Sequence, residues 1–420
     1  MRPWGYWLYA AGQVGVIALG RYFFQWIIRF AHGDEAGALL SAATLALVLP
    51  VFRLFDAIVD PFIGVASDRW VRRGHERRSL LWWALPAGPL GLWLVFWPDP
   101  SMSMGVRWLA ATLGMLLLFG GYSLYTIPFW SLVSDYSRGD AEVRTRLSNV
   151  NGMGVLVAVG AGFALSPSLV ERLGFSTGAL VFAGLAALLM ALPYFAAPPQ
   201  AVITTPPSSE ATDESAWAGL RTAVRDRHFR AVIALFVGVQ TSLTLMTSAA
   251  PFISERLLGG TLEDVALLLG PFLGSTLLFL LFVRGWVRRW GWERVALGGA
   301  VALVGTYLLT ALLGRAVIGS PLTTAMIVFG SAGPGMAAML GLETEAVTRS
   351  AERMAPSATG SYFGAFNFCI QATSGLALAL ASVLGELSRE SVWAVRAMPI
   401  GAGLFCSAGV LGYVLLKRGA

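Results

Sequence analysis

Charge is scarce in this 420-residue chain: Asp, Glu, Lys and Arg make up 13% of it, against about 25% in soluble domains, and the shortfall excludes an ordinary water-facing surface. Histidine is nearly missing as well, at 3 residues; His32, His75 and His228 stand far apart, with no His/Glu pair at zinc spacing. No nucleophile elbow and no phosphate-binding glycine loop occurs, which argues against hydrolase chemistry and against an ATP-driven pump, so no enzyme activity and no cofactor are expected. Cysteine is limited to Cys369 and Cys406. Both sit in apolar runs, where isolated thiols read as packing residues rather than as a disulfide or a metal site. Nor is there a small-residue cleavage site behind Met1-Arg2, so the first helix is expected to act as the targeting signal.

What the chain has instead is apolar sequence, 56% of its residues, in runs long enough to cross a hydrocarbon core about 30 Å thick. The expectation is an all-α polytopic membrane protein with twelve spans, near 4–30, 37–66, 79–97, 104–133, 148–170, 175–197, 229–253, 261–285, 293–314, 319–346, 357–385 and 393–415. Basic residues test the topology, because cytoplasmic loops hold the excess of Lys and Arg. Of the 30 such residues, only Arg29, Arg107, Arg172, Arg256, Arg315, Arg389 and Arg396 fall on the far side, and Arg21 and Arg53 lie within spans. This pattern expects both termini to be cytoplasmic in an inner or plasma membrane. It also explains the formal charge of +6 through short loops rather than a nucleic-acid patch.

The polar stretch 198–228, with Thr204-Thr205-Pro206-Pro207-Ser208-Ser209, reads as a cytoplasmic linker between halves at 1–197 and 229–420. A short repeat supports the division. Trp70-Val71-Arg72-Arg73 followed by Glu76-Arg77 comes after the second span, and Trp286-Val287-Arg288-Arg289 followed by Glu293-Arg294 comes after the eighth. Two parallel six-helix halves around a midplane site are the major facilitator architecture.

Within the second span stand Arg53, Asp56 and Asp60. Acids four apart share one helix face, with Arg53 a turn below Asp56. Charge at that depth points to function, as a cation site balanced by the arginine, or to an ion pair that only ties helices together. Arg21, with Gln25 one turn on, either meets an anionic group of a substrate or pairs with Asp56 or Asp60. In the second half Gln240, Thr244, Asn367 and Gln371 are the polar groups placed to meet a substrate, or to hydrogen-bond between helices. Gly333-Pro334-Gly335 is expected to break span ten.

Three segments resemble the glycoside-pentoside-hexuronide:cation symporters, a melibiose permease-like family of the major facilitator superfamily. They are Asp56-Ala-Ile-Val-Asp60-Pro61-Phe-Ile-Gly64 running into Asp68-Arg69, Pro128-Phe129-Trp130-Ser131-Leu132, and Arg144-Thr145-Arg146-Leu147-Ser148. The resemblance implies that Asp56 and Asp60 bind the coupling ion, with Ser123 and Thr126 at the further ligand positions. Where the family has an amide between the acids and a carboxylate in span four, this chain has Val59 and Thr126. A hard metal cation wants about six oxygens whereas a proton needs one carboxylate, so H⁺ is favoured over Na⁺.

The family's charged sugar-binding positions fall on Ile17, Thr126, Asn151 and Ala372, none of them charged, while the aromatic platform is kept as Trp130. The implied function is cation-coupled symport, by alternating access, of a small solute that is sugar-like or amphiphilic and anionic. The alternatives are a lysolipid or amphiphile transporter of the same fold, or a non-transporting sensor or assembly protein. Asp68 and Arg69 are implied to gate the cytoplasmic side. The partners expected are substrate, coupling cation and bilayer, for a monomer.

Overall fold

The computed structural model describes residues 2–32, 42–197, 214–260, 264–314, 317–354, 358–388 and 390–418. Most of the expected linker at 198–228 therefore lies outside the described residues, as do Arg315 and Arg389 and the side chains of Arg29 and Arg53. The described chain is α-helical: α1 Pro3–His32, α2 Ala42–Arg72, α3 Ser79–Ala84, α4 Ala87–Phe96, α5 Met104–Ser137, α6 Ala141–Ala191 and α7 Glu214–Arg225, followed by α8 Arg227–Phe252, α9 Asp264–Trp290, α10 Trp292–Ala311, α11 Pro321–Ser331, α12 Gly333–Met354, α13 Thr359–Leu387 and α14 Val392–Arg418.

Local chemistry explains the breaks. Helix α6 contains Gly174 at φ 75°, so it is two traverses joined at one glycine. Span three divides around Leu85 and Pro86, and span ten divides at Ala332, beside the expected Gly-Pro-Gly. The turn from α5 to α6 puts Arg138 at φ 50° and Gly139 at φ 82°, after which Asp140 caps α6 by accepting from the N–H groups of Glu142 and Val143. Counting α3 with α4 and α11 with α12, dividing α6 at Gly174 and setting aside the short α7 gives twelve traverses among the described residues.

Nine of these are long and apolar enough to cross a membrane by composition. Arg21, Asp56 with Asp60, and Asn149 with Asn151 lie on α1, α2 and the first half of α6.

Two compact units emerge: residues 1–223 with 351–368, and residues 224–350 with 369–420. The first is built on aromatics. Tyr9 stacks on Phe129 at 4.5 Å, Tyr22 meets Phe96 edge-on at 5.3 Å, and Tyr125 donates to the Met190 carbonyl at 2.7 Å. Helices α4 and α5 approach through glycine, since a Cβ on Gly91 would lie 2.3 Å from Leu118 N. Close backbone approach of this kind replaces the hydrophobic drive that lipid removes. In the second unit α8 and α14 use the same device, with Gly238 against Gly409.

Candidate functional site

Helix α2 divides its residues by face. Val51, Leu54, Ile58 and Phe62 are exposed along one stripe, whereas Asp56, Asp60 and Asp68 are buried along another. A helix with this pattern turns its apolar stripe to lipid and its acids inward.

Each acid meets a partner. Asp56 Oδ1 accepts from the Ser123 hydroxyl of α5, a short hydrogen bond between two fully buried groups. Asp60 Oδ2 accepts from Asn367 Nδ2 at 2.6 Å. Thr126 is buried in the same unit, and its hydroxyl donates to its own helix at the Tyr122 carbonyl, 2.9 Å. The aromatic platform is fixed from both sides: Trp130 Nε1 donates to Gln13 Oε1 at 3.0 Å, and its ring centre lies 6.2 Å from that of Phe363. Gln13, buried on α1, was not singled out from sequence, because a lone amide among apolar residues has no charge to flag it.

Asn367 reaches Asp60 because α2 and the first turns of α13 touch backbone to backbone. A Cβ on Gly64 would lie 2.3 Å from the Gly360 carbonyl oxygen, and one on Gly364 would lie 2.6 Å from that of Asp60. The same contact organises the C-terminal end of α2. Asp68 accepts from Gly360 N at 2.8 Å, from Ser361 N at 2.7 Å and from the Ser361 hydroxyl at 2.7 Å.

Arg77 completes that cluster, with Nη1 3.1 Å from Asp68 and 2.8 Å from Ser67, and Nε 3.2 Å from Asp135. Burial pulls the Arg77 guanidinium down, but Asp135 and Asp68 more than offset it, so its pKa lies above that of an ordinary arginine. Arg144 pairs with Glu352, which also accepts from Ser134 at 3.1 Å. Arg69 is half-buried nearby. Asp135 and Glu352 were not picked out from sequence, and Arg77 stood there only as one of several loop arginines, since in a basic loop no pattern says which arginine is buried.

The remaining expected residues are spread out. Arg21 is exposed, with its stem over Gly162 of α6, and Asn151 is buried on α6. Gln25 accepts from Ser166 at 3.2 Å, and Ser166 in turn accepts from Trp26 Nε1 at 2.9 Å. Arg53 has its side chain outside the described residues. In the second unit Gln240 donates to Glu343 at 2.5 Å, Thr244 donates to the Gln240 carbonyl at 3.0 Å, and Gln371 is half-buried. Glu343 is a further acid that sequence reading passed over.

The arrangement offers two buried carboxylates, one accepting from a hydroxyl and one from an amide, together with an ion-pair cluster at one end of the same helix. Chemically, such carboxylates can take up and release a small cation.

Known proteins bear on kinship. The chain is 32% identical over 155 residues, 35% of its length and 33% of the relative's, to the uncharacterized symporter YnaJ of Bacillus subtilis (strain 168). It is also 32% identical over 143 residues, 33% of its length and 30% of the relative's, to the glucuronide carrier protein homolog of Escherichia coli (strain K12). These matches span only 33% and 30% of the curated relatives. The relatives' names agree with the symporter resemblance. Among solved structures, the proton:xylose symporter XylE bound to 6-bromo-6-deoxy-D-glucose matches with a TM-score of 0.68, covering 99% of this chain and 94% of that one. At 13% identity this is a likeness of fold alone. The family model described as MFS/sugar transport protein matches residues 8–387, and the chain belongs to that family.

Proposed function

We propose that the protein is a cation-coupled symporter of a small solute, with Asp56 and Asp60 as the coupling-ion carboxylates and H⁺ as the ion. The observation that carries this reading is the placement of both acids, fully buried on α2, against Ser123 and Asn367. A hydroxyl and an amide N–H can each hold a carboxylate in its charged form, so the pair stays able to take up and release a cation. A proton suits this set better than Na⁺, because no further carboxylate stands at Thr126 and no amide at Val59. Symport then requires that substrate bind more tightly when the pair is loaded.

The substrate is sugar-like or amphiphilic. Trp130 offers an apolar face and Asn151 a polar group, and Arg21 would favour a carboxylate or phosphate on the solute. The relatives named as a symporter and a glucuronide carrier support that class. The test is uptake into proteoliposomes from a panel of neutral sugars, uronates and lysolipids, under an imposed pH gradient or an imposed Na⁺ gradient. Accumulation driven by the pH gradient alone is expected, lost in Asp56→Asn and Asp60→Asn. Undiminished accumulation in both variants would refute the assignment.

A further inference from the structure

Glu343 differs from every acid of α2. It lies on α12 in the second unit, half-buried, within the apolar traverse Pro321–Met354. Its Oε2 accepts one hydrogen bond, from Gln240 Nε2 in the middle of α8 at 2.5 Å. Among the described residues it enters no ion pair, while Glu345, two positions on, holds Arg349 at 2.6 Å.

The second-unit helices α8, α9 and α10 bring no ion-pair partner to Glu343. Helix α8 has no ionisable side chain between Arg230 and its end at Phe252. Helix α10, which meets α12 where Gly299 lies against Gly335 and Ala338, carries Glu293 and Arg294 in its first turn and Tyr307 further along, the last engaged by the Ser242 hydroxyl at 3.2 Å. Helix α9, whose Ser275 abuts Gly333, has Asp264 at its start and Arg284, Arg288 and Arg289 toward its end. Among the described residues none of these groups hydrogen-bonds or ion-pairs with Glu343, whose one hydrogen bond comes from the Gln240 amide.

An ionised carboxylate at that depth with a neutral partner is costly, and taking up a proton removes the cost. A primary amide serves both states, since its NH₂ donates to the carboxylate and its carbonyl, after a half-turn, accepts from the acid. We propose that Glu343 is a proton-binding site of the second unit, with Gln240 as its partner in both states, distinct from the ion site on α2. The proton enters and leaves as such; no bond other than O–H forms or breaks.

Infrared difference spectra of the full-length protein in lipid vesicles, recorded between acidic and alkaline pH, test this without substrate or gradient. A protonated-carboxyl C=O band lost at alkaline pH is expected, retained in the Asp56→Asn/Asp60→Asn double variant and absent from Glu343→Gln. Gln240→Leu, which deletes the donor to the charged form, is expected to move the midpoint of that band up by about one pH unit or more. A stably folded Glu343→Gln protein with the wild-type spectrum would overturn the site. Should that variant fail to fold, Glu343→Asp carries the test: a displaced band supports the assignment and an unmoved one overturns it. Because no flux is measured, this result is independent of whether Asp56 and Asp60 couple transport.

Discussion

The motif Trp-Val-Arg-Arg occurs at the end of α2 and at the end of α9, and the two copies do different things. At the first copy, Trp70 Nε1 donates to Ser79 at 2.9 Å, Arg77 is buried between Asp68 and Asp135, and Arg78 donates to the carbonyls of Tyr194 and Ala197 at 3.1 and 3.0 Å. After α9 the chain turns at a single glycine, Gly291 at φ 80°, and Arg289 lies over Trp290 at 5.8 Å. The cause is visible two residues upstream of each tryptophan, where the first copy has Asp68 and the second has Arg284. In the same register Asp56 and Asp60 correspond to Phe272 and Thr276. Like basic runs satisfy one topological rule, and the copy beside Asp68 and Asp135 forms a packed cluster.

The sharpest way to break this contrast is Arg77→Ala, which removes a partner from the buried Asp68 and the half-buried Asp135. A loss of about 3–5 kcal/mol in stability is expected, read as a fall in the thermal denaturation midpoint in detergent. Because the folded-state pKa of Arg77 is raised, its contribution is fully present below the ordinary arginine value and is lost only as pH rises through the folded value. The Arg77-dependent part of the denaturation midpoint should therefore stay flat through neutral pH.

Next in size is Asn367→Leu, which takes the Nδ2 donor from Asp60. A hydrogen bond to a charged group is worth about 1.5–3 kcal/mol, so the apparent proton affinity of the pair should rise roughly tenfold or more, seen as an alkaline shift in pH-dependent uptake. Gln13→Leu is a smaller change. It frees Trp130 Nε1 and should cost about 0.5–1.5 kcal/mol, with substrate KM raised more than kcat lowered if the ring is a platform. The least effect is expected for Arg289→Gln in the second copy, within about 0.5 kcal/mol of wild type by the same thermal assay. A large loss there would erase the distinction between the copies.

The apolar runs made the helices legible, and the spacing of Asp56 and Asp60 placed both acids on the buried stripe of α2. The Gly-Pro-Gly of span ten marked a break that falls one residue earlier, at Ala332. Other features had no local signal. Asn367 finds Asp60 across 307 residues of sequence, a pairing set by the glycine contact between two helices rather than by anything near either residue. Glu343 falls inside the span expected at 319–346, but Glu345, Arg349 and Glu352 follow so closely that nothing in the sequence sets it apart from the charges at the helix end. The burial of Arg77 rather than Arg72 or Arg73 follows from where Asp135 arrives on α5, which the loop itself does not encode.

The glycine contact between α2 and α13 also has a kinetic meaning. Where Gly64 faces Gly360, no side chain of one helix is wedged between side chains of the other. Parting there demands no rotamer change and leaves no void shaped like a methyl group. Part of the resistance to parting is the set of hydrogen bonds to Asp68 and Asp60, and water can supply each of those as it enters. Such a seam is held by bonds that solvent can exchange, so its opening rate should follow hydration and protonation rather than the slow repacking of a core.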